Sequence, residues 1–265
     1  MSAGNDAVRS WNPTEWFDDA KIGMFVHWGL YSVPAWAPRT PDIQRLLHDE
    51  GPRAMLRDIP YAEWYRNTMA IEGSPTWKHH RAAYGAGFTY DDFIPTFDDA
   101  TATADVDAIA ALAEDAGAGY VVMTTKHADG FSLWPSAAPH PVAGPYHARR
   151  DLVGAVADAV RARGLRMGLY YCAGYDWAYA DHVVRRGADL LLAIPTCPEY
   201  ERFAAAQVRD LVVRYRPSIL WGDVAWPVGD LLEDLIADYR AAVPDGVVND
   251  RWAVLPGLDG RVRRA

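Results

Sequence analysis

The sequence predicts a parallel α/β fold, a TIM-type (β/α) barrel that is incomplete at about five to six βα units. Three observations carry this expectation. From about residue 105 onward, short apolar runs alternate with segments of helical period. The apolar runs are continuous rather than alternating, as strands covered on both faces require. Each run ends in a hydrogen-bonding or ionisable side chain, and the C-terminal strand ends of such a sheet are where ligands bind. We read 1–265 as a single domain.

In chain order, a polar leader ends at Trp16, Phe17 and Asp18, and a first strand follows at Ile22 to His27. From Val33 to about Ala102 the chain reads as an irregular insertion with a short helix at Arg53–Thr68 and a turn at Tyr84-Gly85-Ala86-Gly87. So long a connection in a compact domain tends to be a binding loop. A helix at Asp105–Ala116 carries Val106, Ile109, Ala110, Leu112 and Ala113 on one stripe and stops at Gly117 and Gly119. A second strand, Tyr120 to Thr125, leads into Lys126-His127-Ala128-Asp129-Gly130-Phe131. The helix Leu152–Arg163, the strand Leu165–Tyr171 and the helix Glu199–Tyr215 come next. The central strand at Ile219, Leu220 and Trp221, the helix Leu231–Val243 and a last strand, Val247 to Asn249, complete the rhythm. No internal repeat interrupts it.

Composition narrows the function. A net charge of -9 and the lack of a basic run argue against nucleic acid; Arg261, Arg263 and Arg264 form only a short tail. Cys172 and Cys197 provide no disulfide framework or zinc spacing. Without an apolar leader or an apolar run near 18 residues, we expect neither secretion nor a membrane partner, hence a cytoplasmic location. Eleven Trp and fourteen Tyr are a surplus that suits a sugar or apolar ligand, although core packing also consumes such residues.

The five strands end in His27, His127 with Asp129, Tyr171, Asp223, and Asp250 with Arg251, next to Trp28, Phe131, Tyr170, Trp221 and Trp252. Taken singly, each has an ordinary explanation: Asp223 could cap the next helix, a histidine could be structural, and Glu63 could be a solvated helix charge. Together at one mouth they read as a pocket. Imidazoles and phenols exchange hydrogen bonds with hydroxyls, indoles such as Trp221 cover the C–H face of a pyranose, and carboxylates serve a glycosidic carbon. No glycine-rich phosphate loop precedes a helix. His27, His127 and Asp223 could also be three metal ligands, but the H-x-H and H-E-x-x-H spacings are missing. We therefore expect no metal and no cofactor, and a small-molecule or glycan substrate; homo-oligomerisation is left open.

At this point the runs W-F-D-D-A-K-I-G-M-F-V-H-W-G-L-Y-S (16–32), E-W-Y (63–65), T-K-H-A-D-G-F-S-L-W (125–134), G-L-Y-Y (168–171), L-W-G-D (220–223) and V-N-D-R-W (248–252) can be weighed together. They resemble the retaining α-L-fucosidases, glycoside hydrolase family 29, in that family's order and over nearly the whole chain. The resemblance implies release of terminal α-L-fucose with Asp223 as the nucleophile. It implies that His27, Glu63, Trp64 and His127 hold the fucose hydroxyls, that Tyr171 stands beside the nucleophile, and that Arg251 lies near the same carboxylate. A guanidinium there favours the ionised form that a nucleophile needs.

Two departures shape the expectations. The family pattern at the second strand is K-H-H-D-G-F, and Ala128 stands here where the second histidine does. A closed barrel needs eight strands, and the family's acid/base carboxylate follows the V-N-D-R strand. Here only the run A-V-L-P-G-L-D-G-R-V-R-R-A follows Trp252, with Asp259 as its one carboxylate and no C-terminal β-sandwich. Glu63 or Asp129 is left as a substitute acid, because retention uses two carboxyl groups about 5–5.5 Å apart. The expectation is a C-terminally truncated family member that handles activated aryl fucosides better than natural ones. The alternatives are a fucose-binding pseudoenzyme and a metal-dependent barrel hydrolase.

Overall fold

The computed structural model describes residues 15–39, 43–227 and 229–253. Asp259 and the rest of that run from Val254 onward lie outside them. Five parallel strands form one sheet in the order β1-β2-β3-β4-β5: β1 Gly23–Val26, β2 Tyr120–Lys126, β3 Arg166–Cys172, β4 Ile219–Asp223 and β5 Val247–Val248. Strand order equals chain order because each crossover returns the chain one position along the sheet. The parallel architecture with alternating helices is the expected one.

The helices are α1 Glu15–Ala20, α2 Ile43–Arg57, α3 Tyr65–Met69, α4 Pro75–Tyr84, α5 Ile94–Ala102, α6 Asp107–Asp115, α7 Leu152–Ala162, α8 Asp189–Leu192, α9 Pro198–Tyr215 and α10 Leu231–Ala242. The segment from Val33 to Ala102 is far more ordered than an irregular insertion. The single helix expected at Arg53–Thr68 is broken: α2 ends at Arg57, the chain turns past Pro60, and a one-turn 3-10 helix at Ala62–Trp64 precedes α3. Within α2 itself, Gly51 (φ 83°) followed by Pro52 breaks the helical path. Helix α4 opens with Ser74, whose hydroxyl accepts from Trp77 N at 2.9 Å, and with Pro75 in the first turn.

The two faces of the sheet have different partners. Val121, Met123, Met167, Leu169, Tyr171 and Leu220 point to one side, packing with Val156 of α7, Leu211 of α9 and Leu235 of α10. Tyr120, Val122, Tyr170, Cys172, Ile219 and Trp221 point to the other, with Trp64, Tyr175, Trp177 and Val184. Residues adjacent in a strand thus belong to different surroundings, as the pleat dictates. Among the described residues no helix is long and apolar enough to cross a membrane.

One buried polar network fixes the loops above β2 and β3. Lys126 Nζ donates to Asp176 Oδ2 at 3.1 Å and to the Tyr175 carbonyl at 3.3 Å, and lies 4.9 Å from the centre of the Tyr171 ring. His140 Nδ1 accepts from the backbone N–H of Val142 and Ala143, so its proton sits on Nε2 and is donated to Asp176 Oδ1 at 3.1 Å. Lys126 and Asp176 are fully buried. Burial alone would raise the Asp176 pKa, but the Lys126 charge and the His140 hydrogen bond overcome it and hold the group at about 2.

Replacing Lys126 by methionine leaves Asp176 buried without its counter-charge, and the expected cost is about 3–5 kcal/mol in urea unfolding. The Asp176 contribution has a defined pH window. Its folded pKa lies below the ordinary carboxylate value, so the stabilisation is complete above about pH 4. It should disappear as the pH falls from about 4 through 2. An acid-unfolding curve of K126M that parallels wild type through this window would contradict the assignment.

Candidate active site

The site begins with β4. Its inward face carries Trp221 and then Asp223, whose side chain is 18 % exposed at the C-terminal strand end. The Tyr170 phenol donates to Asp223 Oδ2 at 2.6 Å, and Arg251 pairs with Oδ1. Asp223 also accepts from Val224 N at 2.9 Å. It caps no helix: α10 follows Asp230, which makes no side-chain cap bond. The chain leaves the carboxylate through two consecutive non-glycine residues at positive φ, Val224 (72°) and Ala225 (120°). Backbone strain of that kind persists only where the surroundings enforce it, and it concentrates at functional positions.

Arg251 reaches Asp223 because a neighbouring clamp aims it. Asn249 imitates a strand partner: its Oδ1 accepts from Gly222 N at 2.8 Å and its Nδ2 donates to Gly222 O at 2.9 Å. Trp252 donates its indole N–H to Leu220 O at 3.0 Å and lies flat against Gly222, where an added Cβ would come within 2.6 Å of the ring. Between Asn249 and Trp252, Arg251 has little choice of direction.

Beside the carboxylate stand three rings. His127 stacks on Tyr170 with centroids 5.3 Å apart and planes 12° from parallel, and His27 lies 5.6 Å from His127 and 5.5 Å from Tyr170. Phe25 touches His27, Tyr170 and Trp221 at 4.9, 5.8 and 5.3 Å and ties the strand ends together. Glu63 enters from the 3-10 turn, its Oε1 3.0 Å from His27 Nδ1, so that nitrogen donates and Nε2 remains for a ligand. Burial would raise the Glu63 pKa, yet the His27 hydrogen bond and the nearby His127 prevail and lower it. His127 is held neutral by burial, with its pKa pushed down to about 4, and it feels the charges of both Glu63 and Asp223. Its Nδ1 is buried and has no hydrogen-bond partner among the described residues.

The structure therefore brings together His27, Glu63, His127, Trp221, Asp223 and Arg251. Trp64 joins from the side, its indole edge-on to Trp177 at 5.3 Å. Tyr171 is a correction: it is fully buried on the helix side of β3, where its hydroxyl donates to Gln207 at 2.9 Å. The phenol at the carboxylate is Tyr170, one residue earlier and so on the opposite face. Neither substitute acid fits a proton donor. Asp129 is buried behind β2, accepting from Tyr90 at 2.7 Å and Phe131 N at 3.2 Å, with its pKa raised by burial to about 6. Glu63 is held in the ionised form. A shared metal site is not built either: among the described residues no three His, Cys, Asp or Glu side chains could hold an ion. Sequence reasoning gave no site role to Phe25, Tyr170 or Asn249, although all three lie within the runs quoted above.

A carboxylate at a strand mouth, braced by a phenol and a guanidinium and walled by imidazoles and indoles, gives this β/α protein a polar and aromatic pocket suited to a ligand rich in hydroxyls. Comparison supplies the family: residues 3–259 match the family model described as Alpha-L-fucosidase. The chain belongs to the alpha-L-fucosidase family. It is 34% identical to the tissue alpha-L-fucosidase of Rattus norvegicus, over 89% of this chain and 46% of that one. It is 32% identical to the alpha-L-fucosidase of Dictyostelium discoideum, over 93% of this chain and 50% of that one. The chain thus spans about half the length of the curated relatives it matches. Among solved structures it resembles the Thermotoga maritima alpha-fucosidase in complex with fucose, with a TM-score of 0.82 and 40% identity, covering 96% of this chain and 57% of that one. The same protein in complex with a mechanism-based inhibitor matches equally well, at a TM-score of 0.82.

Adding one methyl at Gly222 should lever Trp252 away and take Arg251 off Asp223. G222A is therefore expected to fold, with a loss of about 1–3 kcal/mol in denaturant titration, and its crystal structure should show Arg251 withdrawn from Asp223. An Arg251–Asp223 pair left in place in G222A would show that the clamp does not aim Arg251. Separately, the His127 ring should stay neutral down to about pH 5 and take up its proton near pH 4, read from its imidazole nitrogen shifts. A midpoint near 6.5 would contradict the buried setting described above.

Proposed function

We propose that this chain carries the nucleophile and the sugar-holding side chains of a retaining glycosidase for terminal α-L-fucosides. The observation behind this reading is Asp223, held between Tyr170 and Arg251 at the mouth of β4. In the proposed reaction an Asp223 oxygen attacks the anomeric carbon and the bond to the aglycone oxygen breaks. That oxygen keeps the electron pair and leaves as the oxyanion, which takes its proton from water. Water then hydrolyses the fucosyl–aspartyl ester, and two inversions restore the starting configuration.

The other side chains fit that chemistry. Tyr170 and Arg251 hold the carboxylate in one orientation, which reduces the reorganisation needed for attack. His27, fixed by Glu63, and the neutral His127 offer hydrogen bonds to ring hydroxyls, while Trp221 and Trp64 supply apolar faces. The Thermotoga maritima protein that this chain resembles has been solved with fucose, which supports a fucose-sized ligand.

The test is covalent trapping. Incubation with 2-fluoro-fucosyl fluoride should add one fluorofucosyl mass to the peptide containing Asp223, and D223N should remain unmodified. With an aryl α-L-fucoside, D223N should lose about a thousandfold or more in kcat. No proton donor is assigned at the aglycone among the described residues, so rates should climb as the leaving phenol becomes more acidic. Fucose binding without any adduct would instead select a fucose-binding protein that performs no catalysis.

A further inference from the structure

Two adjoining cavities, which share Arg53 and Arg185, are lined by none of the residues the proposed reaction uses. The smaller, about 350 Å³, is lined by Arg53, His182, Val183, Arg185, Arg186 and Asp189. The larger, about 420 Å³, shares Arg53 and Arg185 and adds the carboxylates Glu50 and Glu72. In the smaller cavity the one carboxylate is already satisfied. Asp189 accepts from the backbone N–H of Arg185 and Arg186, both at 2.9 Å, and from the Arg186 guanidinium at 3.3 Å.

Three donors around that cavity are left over. Arg53 and Arg185 have no carboxylate within ion-pair distance among the described residues, whereas nearby Arg57 forks onto Asp58 at 2.7 and 2.6 Å. His182 Nε2 is buried without a hydrogen-bond partner, 3.8 Å from Asp189 Oδ1 and so beyond bonding range. An orphaned ring nitrogen and two unpaired guanidiniums lining one cavity are a donor set suited to an anion, and they stand out on a chain of net charge -9.

The cavity is mechanically joined to the sugar site. Asn67, one turn after Trp64, holds Val184 by both its backbone groups, with Nδ2 to the carbonyl at 3.1 Å and Val184 N to Oδ1 at 2.7 Å. Val184 is buried in the same cluster as Trp64 and Trp177. The loop that carries Arg185 is thus pinned to the helix that follows Glu63 and Trp64.

We propose that this cleft receives an anionic sugar, bearing a sulfate or carboxylate, of the same glycan whose fucose the strand mouth holds. The inference rests on the function proposed above. The smaller cavity takes the anion, and the mixed guanidinium and carboxylate lining of the larger one takes ring hydroxyls.

The experiment is calorimetry at low ionic strength, where exposed charges are least screened. The probes are galactose 6-sulfate, inorganic sulfate and galactose, and the proteins are wild type and the R53M/R185M double variant. Both arginines are exposed, so the variant keeps its fold, which circular dichroism verifies. Expected is binding of galactose 6-sulfate that is tighter than that of inorganic sulfate and weakens about tenfold or more in the variant, with galactose binding least. No binding of the ester, or equal affinity in both proteins, overturns the proposal. Equal affinity for the ester and inorganic sulfate makes the cleft a site for free anions and overturns it as a sugar site. Trapping at Asp223 by the fluorofucoside should be unchanged in the variant. Loss of trapping in wild type itself would sink the proposed function, while the calorimetry still reports on the cleft.

Discussion

A lysine with no access to water is the constraint from which the upper half of this structure follows. Lys126 ends β2, and the geometry of a strand gives its side chain no route to the surface. Burying an ammonium group is expensive unless a counter-charge and hydrogen bonds replace its hydration. Asp176 supplies the charge, the Tyr175 carbonyl a further acceptor, and His140 occupies the other oxygen of Asp176. The end of β2, the loop carrying His140 and the loop carrying Tyr175 and Asp176 must therefore meet at one point. The consequence extends beyond stability. Gly130, at φ 82°, passes so close to Asp176 that a Cβ would lie 2.3 Å from Oδ1, and Trp177 N donates to Ala128 O at 2.8 Å. The segment 126–130 is thereby fixed on both sides of His127. That imidazole, lacking a bond of its own at Nδ1, takes its position from its neighbours and from the Tyr170 ring.

Asp223 is held by a second brace. On one side is Tyr170 from β3, on the other Arg251, aimed by Asn249 and Trp252 across Gly222. The strained residues Val224 and Ala225 then carry the chain away, and Trp226 anchors it, fully buried with its indole N–H on Glu201 at 3.1 Å. A carboxylate between two such restraints has its direction set before any ligand arrives. Preorganisation of that kind is what nucleophilic displacement at a sugar carbon requires. The two braces share one member, because the Tyr170 ring that stacks on His127 also carries the phenol that meets Asp223.

How much of this the sequence reveals depends on whether the deciding interaction is local. Strands β2, β3 and β4 are legible because burial on both faces demands continuous apolar runs. That same continuity hides which face a residue takes. In G-L-Y-Y the two tyrosines are equally apolar, so nothing in the pattern separates Tyr170 at the carboxylate from Tyr171 under α9. Asn249 and Gly222 escaped notice for the opposite reason: their partnership exists only once β4 and β5 lie side by side. Lys126 reads as a surface charge until Asp176, fifty residues on, arrives over it. The helices of the insertion were readable in part, since Ser74-Pro75 is a strong helix start; the wealth of Pro, Trp and charge around it masked the signal.

Ala128 shows how a substitution at the strand mouth propagates through such a frame. Its side chain is 1 % exposed, so an imidazole grown from this position would meet protein rather than solvent. It shares a buried cluster with Tyr175, Trp177, Val184 and Leu56, and Trp177 is seated on its carbonyl. Trp177 in turn meets Trp64, the indole that follows Glu63. A larger residue at 128 would have to push through that stack, at a typical cost of about 1–3 kcal/mol. The alanine and the aromatic wall are thus mutually adjusted, and hydrogen bonding at this end of the site falls to His127, His27 and Glu63. Trp177 keeps a buried indole N–H without a partner among the described residues.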